Sequence, residues 1–552
     1  MNILRRAVVL LIFCALSLPV VALHAQEDPV ALVLRQNLEG AEGGTAITVG
    51  SRRLSSPSII RKIYERREYL PFWNSYDAVS QFVEAIEDSY REGLNPRDYH
   101  VKEIRGLLGD NPEEGIADPA LAASLELLLT DAFILLARHS TCGWENPATH
   151  YPQWSLDRLM GNEDPVEYFE KRLADPSIRE TVESWKVHDP YYESLKQALA
   201  RYRDIRSKGG WRKIPEGMVM KKGNSGPWVA ALRRRLEIED PELGPAPNPQ
   251  LYDADLHRAV RRFQAQHGIR QDGVAARETL AAMNVPVEYR IEQIRINLER
   301  CRWVLKDLDN TFVMVDIVGF RVSFQKQGRI VWSGRAQVGK PFRDTPVVRS
   351  EITHLEVNPT WTIPPTILTE DVLPDVSKDL GYLDRHNIEV IDRLLNVTVR
   401  PRDVDWSLFT EEPPPYKLVQ KAGPANPLGR IKFMFPNEQR VFLHDTPEKA
   451  LFDRAERTFS SGCIRIERPF ELAALLMGKD RGWTQEKLMR AVATGKTWKV
   501  YLPQPVPVLL MYATVTIGDR GRVFFRKDLY SRDIVMMEGL GNDPVQVRPG
   551  SI

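Results

Sequence analysis

Phe312-Val313-Met314-Val315-Asp316-Ile317-Val318, followed by Arg321 to Phe324 and Ile330 to Ser333 around the turn Lys326-Gln327-Gly328-Arg329, marks a change of periodicity in this 552-residue chain. Upstream, apolar residues recur at three- and four-residue spacing, as in Ala120 to Ala137 and Tyr191 to Tyr202, and read as helices. From Phe312 onward the segments are short, β-branched and bounded by turn residues, so they read as a strand and a hairpin. Ile431 to Phe435 and Val441 to Leu443 read as further strands, the second running straight into His444. The expectation is a multidomain α+β protein in which a mainly β domain with mixed sheets follows helical units.

Working outward, residues 26–215 read as a helical scaffold, with Arg67, Pro71, Phe72 and Trp73 and the segment Gly93 to Tyr99 as loop anchors between helices. Residues 218–284 read as a three-helix unit formed by Trp228 to Leu236, Ala254 to Gln266 and Arg277 to Met283, burying Leu232, Leu236, Val260 and Phe263. A linking helix spans 285–310 and the β domain 311–503. Within it, an insertion at about 366–427 carries Trp406, Pro413-Pro414-Pro415 and Gly423 to Pro427; a connection this long reads as a lid or as a surface elaboration. Residues 504–552 form a C-terminal segment expected to pack on the β domain through Val506, Val508, Leu510 and Tyr512.

The first 25 residues place the chain outside the cytoplasm. Arg5 and Arg6 precede the apolar run Ala7 to Val21, and Ala22-Leu23-His24-Ala25 ends as a small-x-small cleavage site, giving a mature start near Gln26. A retained anchor is the weaker reading, because the run is short for a bilayer and Pro19 interrupts it. Cys14 does not make a lipoprotein signal, since Phe13 stands where a small residue is needed. No later segment is expected to span a membrane.

The chain carries 75 basic and 74 acidic residues; without Arg5 and Arg6 the balance is 73 to 74, a net charge of minus one, with no electrostatic reason to expect nucleic acid. Processing leaves Cys142, Cys301 and Cys463, an odd number in an oxidising compartment, so at least one thiol stays free. Cys142 and Cys301 read as buried hydrophobes or as a pair. Neither cysteines nor histidines show paired ligand spacing, so no metal or other cofactor is expected.

Cys463 differs. It sits in Ser460-Ser461-Gly462-Cys463-Ile464-Arg465, nineteen residues after His444. A thiol needs a base to become a nucleophile, and an imidazole with an ordinary pKa of ~6.5 can take its proton and later return one to a leaving amine. Gly462 permits close approach, and the N–H groups of Gly462 and Cys463 are candidate oxyanion donors, each worth roughly 2.7 to 4 kcal/mol in comparable enzymes. Ser461 belongs to the same loop, and Ser460 is a candidate to orient the imidazole. Arg465 offers a guanidinium fork for a carboxylate. Trp361, Tyr382 and Trp406 read either as the lining of a donor groove or as core.

His444-Asp445-Thr446-Pro447 together with Ser460 to Arg465 resembles the signature of the L,D-transpeptidases, with a YkuD-type catalytic domain. Gly429 to Phe433, Val338-Gly339-Lys340 with Thr345-Pro346, and Asn358-Pro359-Thr360-Trp361 match the same family; Ser461 departs from the His often found there. Ala259 to Ile269, with Asp272-Gly273-Val274 and Thr279-Leu280, resembles the three-helix peptidoglycan-binding module of cell-wall enzymes. Its departure is the extended, proline-bearing loop from Asp240 to Gln250. The whole is similar to the large YcbB-like periplasmic branch.

The resemblance implies attack by Cys463 on a tetrapeptide stem, release of D-alanine, and resolution of the thioester by a neighbouring stem amine to give a 3-3 cross-link. It further implies a role in peptidoglycan synthesis and cell shape, inhibition by carbapenems, and, as partners, stem peptides, glycan and other cell-wall synthesis enzymes. Two alternatives stay open: a carboxypeptidase or endopeptidase using the same acyl-enzyme, and an inert wall-binding protein.

Overall fold

Alternating burial organises the β domain of the computed structural model, which describes residues 28–40, 46–109, 117–144, 163–306, 308–409, 414–478 and 482–541. The leader at 1–25 with Cys14, and Pro413, lie outside the described residues. The strands are β1 (Phe312–Asp316), β2 (Arg321–Lys326), β3 (Arg329–Gly339), β4 (Val348–Val357), β5 (Trp361–Thr362), β6 (Ile388–Asp392) and β7 (Thr398–Val399). They continue with β8 (Tyr416–Gln420), β9 (Ile431–Met434), β10 (Leu443–His444), β11 (Thr458–Ser460), β12 (Ile464–Ile466) and β13 (Trp498–Met511).

Nine strands form one mixed sheet in the order β11-β3-β12-β10-β9-β4-β13-β1-β2. β2 also pairs with β3, so eight of them close on themselves, and β11 continues along the edge of β3 beyond β2. Closure removes the long unpaired edges an open sheet would expose. The β2–β3 hairpin turns where expected, through Gln327 and Gly328 at φ 51° and 75°, the left-handed pair that a tight hairpin needs.

Register separates the two faces of this barrel. Leu355, Phe433, Leu443 and Ile464 stand side by side on β4, β9, β10 and β12, all wholly buried. One residue further along each strand, Glu356, Lys432, His444 and Arg465 form the next row, which alternation turns to the outer face, with Gln337 of β3 beside Arg465.

The helix Val287–Leu305, expected to be a linker, is buried on nearly every side. Its apolar residues Ile291, Ile294 and Leu298 join one core with the helix Pro190–Ser207 and the barrel. Its polar faces are buried because they are partnered: Arg295 Nε donates to the Gly93 carbonyl (2.9 Å), Asn297 Nδ2 donates to Thr514 Oγ1 (2.8 Å), and Arg300 pairs with Asp533 (2.6 Å). The expected boundary at 503–504 falls inside β13, which pairs with β4 on one side and β1 on the other. Residues after β13 therefore share the barrel core rather than being added outside it.

The scaffold has a separate core built around the helix Pro119–Cys142. By length and composition this helix is apolar enough to cross a membrane, which corrects the expectation that no segment after the leader is; it is the core helix of this unit, mostly buried. Its buried Glu126 accepts from Tyr64 Oη (2.7 Å) and from the Phe72 and Trp73 N–H groups, tying down the Phe72-Trp73 loop, while burial pushes its carboxyl up to about 7.

In the three-helix unit, the helices Pro227–Glu239, Ala254–Gln266 and Arg277–Met283 bury Leu232, Leu236, Val260 and Phe263. The insertion is a small unit with its own sheet, β5-β8-β6-β7, and its own core of Ile363, Leu368, Leu383, Val390, Trp406 and Leu418. Cys142 and Cys301 are both buried, and Cys301 is a free thiol, so the two do not pair.

Removing one partner of a buried ion pair leaves the other charge uncompensated, at a cost of about 3–5 kcal/mol. Asp533→Asn should therefore lower the thermal midpoint and speed proteolysis of the C-terminal segment, both compared with wild type. An unchanged melt and cleavage pattern would show that Arg300 does not depend on this carboxylate.

Candidate active site

A very short parallel pairing puts His444 and Cys463 on one face. β10 runs beside β12 with Leu443 opposite Ile464 and His444 opposite Arg465, and the Ile464 N–H donates to the Phe442 carbonyl (2.9 Å). Side chains alternate along each strand, so Phe442 and His444 on one, and Cys463 and Arg465 on the other, share the outer face. Cys463 and His444 are diagonal neighbours there. Cys463 is a free, part-exposed thiol, and His444 is buried.

The imidazole is oriented by its own chain: Nδ1 lies 2.5 Å from the Asp445 carbonyl. A carbonyl only accepts, so Nδ1 carries the proton and Nε2 is the basic nitrogen. Asp445 is held in turn, its N–H donating to the Ile431 carbonyl and its Oδ2 accepting from the Arg430 N–H, with Lys449 paired to Oδ1. Gly429, at φ 62°, passes so close that a Cβ there would stand 2.5 Å from the Asp445 side chain. The sequence reading quoted Asp445 only as part of a motif; a carbonyl's role leaves no mark on residue type.

Among the described residues no hydrogen bond joins Ser460 to the imidazole. Its carbonyl accepts from the Lys340 N–H (3.0 Å), and its hydroxyl donates to the Cys463 carbonyl (2.5 Å) while accepting from the Gly462 N–H (3.3 Å). This corrects both the expected role of Ser460 and the expected pair of oxyanion donors. The Gly462 N–H is turned into the loop, whereas among the described residues no hydrogen bond uses the Cys463 N–H. Gly462 itself lies at φ 105°, a left-handed conformation that side chains resist.

Ser461 Oγ accepts from Arg343 Nη1 (3.0 Å), and the same guanidinium pairs with Glu370 and Asp371 of the insertion. Arg343 thus joins the nucleophile loop to the inserted unit, and its hydrogen bonds hold the Asp371 carboxyl below the usual carboxylate range. Arg465 is already engaged, paired with Glu448 and donating to Gln337 Oε1 (3.2 Å), which leaves its fork only partly open. Trp406 is core of the insertion, 4% exposed, with Nε1 donating to the Pro401 carbonyl, which is the core alternative of the sequence reading. Trp361 and Tyr382 are half-buried against that same core.

Burial decides the protonation of His444 and Cys463. It drives the His444 imidazole down to about 3, with the Arg465 charge adding to the effect, and pushes the Cys463 thiol up. The Phe442 backbone, Lys432 and Arg465 pull the thiol the other way, without overcoming burial. Lys432, across the strand pair from His444, is itself held below the ordinary lysine range by burial. At rest the site is a neutral thiol beside a neutral imidazole.

Comparison with known proteins agrees with this architecture. Residues 310–506 match the YkuD model, described as the L,D-transpeptidase catalytic domain; residues 225–283 match a "Putative peptidoglycan binding domain", and residues 58–199 a scaffold domain. The chain is a multidomain protein that carries the YkuD-type L,D-transpeptidase catalytic domain together with peptidoglycan-binding and scaffold domains.

Among similar proteins is one of Haemophilus influenzae (strain ATCC 51907 / DSM 11121 / KW20 / Rd) named "Putative L,D-transpeptidase", 34% identical over 242 residues. The match covers 44% of this chain and 48% of that protein, so the chain spans about half the length of the curated relative it matches. Among solved structures, the L,D-transpeptidase (residues 123-326) from Xylanimonas cellulosilytica DSM 15894 is 16% identical, with 54% of this chain and 98% of that one covered and a TM-score of 0.18.

Two measurements probe the resting charge state. The unfolded chain protonates histidine near pH ~6.5, whereas folded His444 does so at about 3. The unfolded state therefore binds more protons between those values, and stability falls as pH drops through the window, by at most about 1.4 kcal/mol per pH unit for one group. Thermal melts from pH 7 to 4 should decline less steeply for His444→Gln than for wild type; parallel curves would contradict a neutral His444. Separately, the rate of Cys463 alkylation by iodoacetamide, followed by intact mass, should keep climbing with pH beyond 9. A plateau at neutral pH would reveal a thiolate–imidazolium pair instead.

Proposed function

We propose that this protein is a peptidoglycan L,D-transpeptidase that forms 3-3 cross-links through a Cys463 thioester. The observation that carries the reading is the shared outer face of β10 and β12, with a free thiol, a basic Nε2 and an uncommitted Cys463 N–H. The catalytic-domain and peptidoglycan-binding matches support the substrate class.

As the Cys463 sulfur bonds to the carbonyl carbon joining the stem's third residue to its terminal D-alanine, the thiol proton passes to His444 Nε2. The carbonyl π electrons move to oxygen, and the resulting oxyanion accepts a hydrogen bond from the Cys463 N–H. Collapse breaks the C–N bond; His444 returns the proton to the departing amine, and D-alanine leaves. An amine from a neighbouring stem then attacks the thioester carbon and gives its proton to His444; the C–S bond breaks, and His444 passes that proton to the departing sulfur, restoring the neutral pair. Because both groups start neutral, no buried ion pair must be sustained between turnovers.

Peptidoglycan stems and glycan are the partners of this reading, and the periplasm is the compartment in which they are met. Carbapenem inhibition follows from the same chemistry, since a nucleophile placed for amide attack also opens a β-lactam.

Purified mature protein incubated with tetrapeptide muropeptides should release D-alanine and yield 3-3 dimers, and intact mass should show a meropenem adduct. Cys463→Ala should abolish product and adduct together. Dimer formation retained in that variant would overturn the assignment; D-alanine release without dimers would make water the acceptor.

A further inference from the structure

On the acyl-transfer reading, we infer that Thr345, braced by Tyr530 of the C-terminal segment, is a positioning residue that aims the Cys463 N–H at the developing oxyanion. Thr345 is wholly buried. Its hydroxyl donates to the Gly462 carbonyl (2.8 Å) and accepts from the Gly339 N–H (2.9 Å). In a planar trans peptide the carbonyl and the N–H point in opposite directions. Fixing the Gly462 oxygen therefore fixes the Cys463 N–H of the same peptide group and turns it away from Thr345. A glycine at φ 105° leaves that peptide free to swing, so it needs an outside restraint. Ser460 restrains the flanking groups through the Gly462 N–H and the Cys463 carbonyl, and Thr345 restrains the group between them.

Thr345 is itself held from beyond the barrel. Tyr530 Oη donates to the Gly339 carbonyl (2.8 Å) and stands 3.4 Å from the Thr345 N–H, while Arg532 donates to the Thr345 carbonyl (3.0 Å) and pairs with Asp344. The Tyr530 N–H donates to Tyr512 Oη (2.8 Å), and their rings stack at 5.4 Å. Gly339 admits this crowding because it has no side chain; a Cβ there would lie 2.2 Å from the Arg343 carbonyl. A continuous set of hydrogen bonds thus runs from residues 512–532 to the peptide beside the nucleophile.

The test compares two reactions of one sulfur. Meropenem acylation creates an oxyanion, whereas iodoacetamide alkylation displaces iodide from a tetrahedral carbon and creates none. Both rates are read by intact mass on the full mature protein. Thr345→Val should slow acylation on the order of tenfold to a hundredfold with alkylation essentially unchanged. Thr345→Ser should restore acylation, and Tyr530→Phe should slow it to a lesser degree.

Unchanged acylation in Thr345→Val, or an equal fall in both rates, would overturn the inference. If Thr345→Val does not fold, Tyr530→Phe and Thr345→Ser carry the comparison: an unaltered ratio of the two rates in Tyr530→Phe is then the refuting result. A wild-type protein that is alkylated but never acylated would overturn the acyl-transfer reading, and this inference with it.

Discussion

The two-residue strand β10 and the three-residue strand β12 hold the candidate nucleophile beside its base. So short a pairing has few ladder hydrogen bonds, and the fold must supply its register by other means. A slip of one residue would exchange the buried row Leu443 and Ile464 for His444 and Arg465, putting an imidazole and a guanidinium into the barrel and two large aliphatic chains outside. Burying each aliphatic side chain is worth about 1.5–3 kcal/mol, so the hydrophobic core, more than the ladder, keeps Cys463 and His444 on one face.

Residues whose job is written in their type were legible in the sequence. The hairpin at Gln327-Gly328 needs left-handed backbone, and the three helices between 227 and 283 show one-sided apolar spacing. His444 and Cys463 stood out because thiol and imidazole chemistry belongs to few residue types. The burial of the helix Val287–Leu305 was not legible, because its four arginines, at 290, 295, 300 and 302, ordinarily mark a solvated surface. Besides local partners such as Glu292 and Glu299, they reach groups far away in sequence, at Gly93, Glu92 and Asp533, which no local pattern announces. Ser460 and Gly462 were misassigned for a related reason: a serine hydroxyl beside a glycine satisfies whichever backbone group the turn presents, and only coordinates say which.

The outer row also explains how a buried imidazole can sit among cations. His444 is flanked by Lys432 and Arg465, and each has its own acid, Glu356 opposite Lys432 and Glu448 paired with Arg465. The positive charges disfavour an imidazolium and favour a thiolate, yet burial keeps the sulfur protonated at rest. A substrate carboxylate reaching Arg465 must compete with Glu448, whose side chain is more than half exposed and can yield to it.

The connection between β3 and β4, residues 340–347, is where the remaining parts of the chain converge on the nucleophile. Arg343 reaches outward to Glu370 and Asp371 of the insertion and inward to Ser461; two residues on, Thr345 faces the Gly462 carbonyl and is braced by Tyr530 and Arg532. One short loop therefore couples the inserted unit, the C-terminal segment and the turn that carries Cys463. Its contacts with the insertion run through the half-exposed carboxylates Glu370 and Asp371, and its contacts with the C-terminal segment combine part-buried hydrogen bonds with Tyr530 and Arg532 and the Arg532–Asp344 pair. The two sides hold different residues of the loop: the insertion grips Arg343, which reaches Ser461, and the C-terminal segment grips Thr345, which reaches the Gly462 carbonyl. The direction of the peptide group beside the sulfur therefore depends on the second set of contacts more directly than on the first.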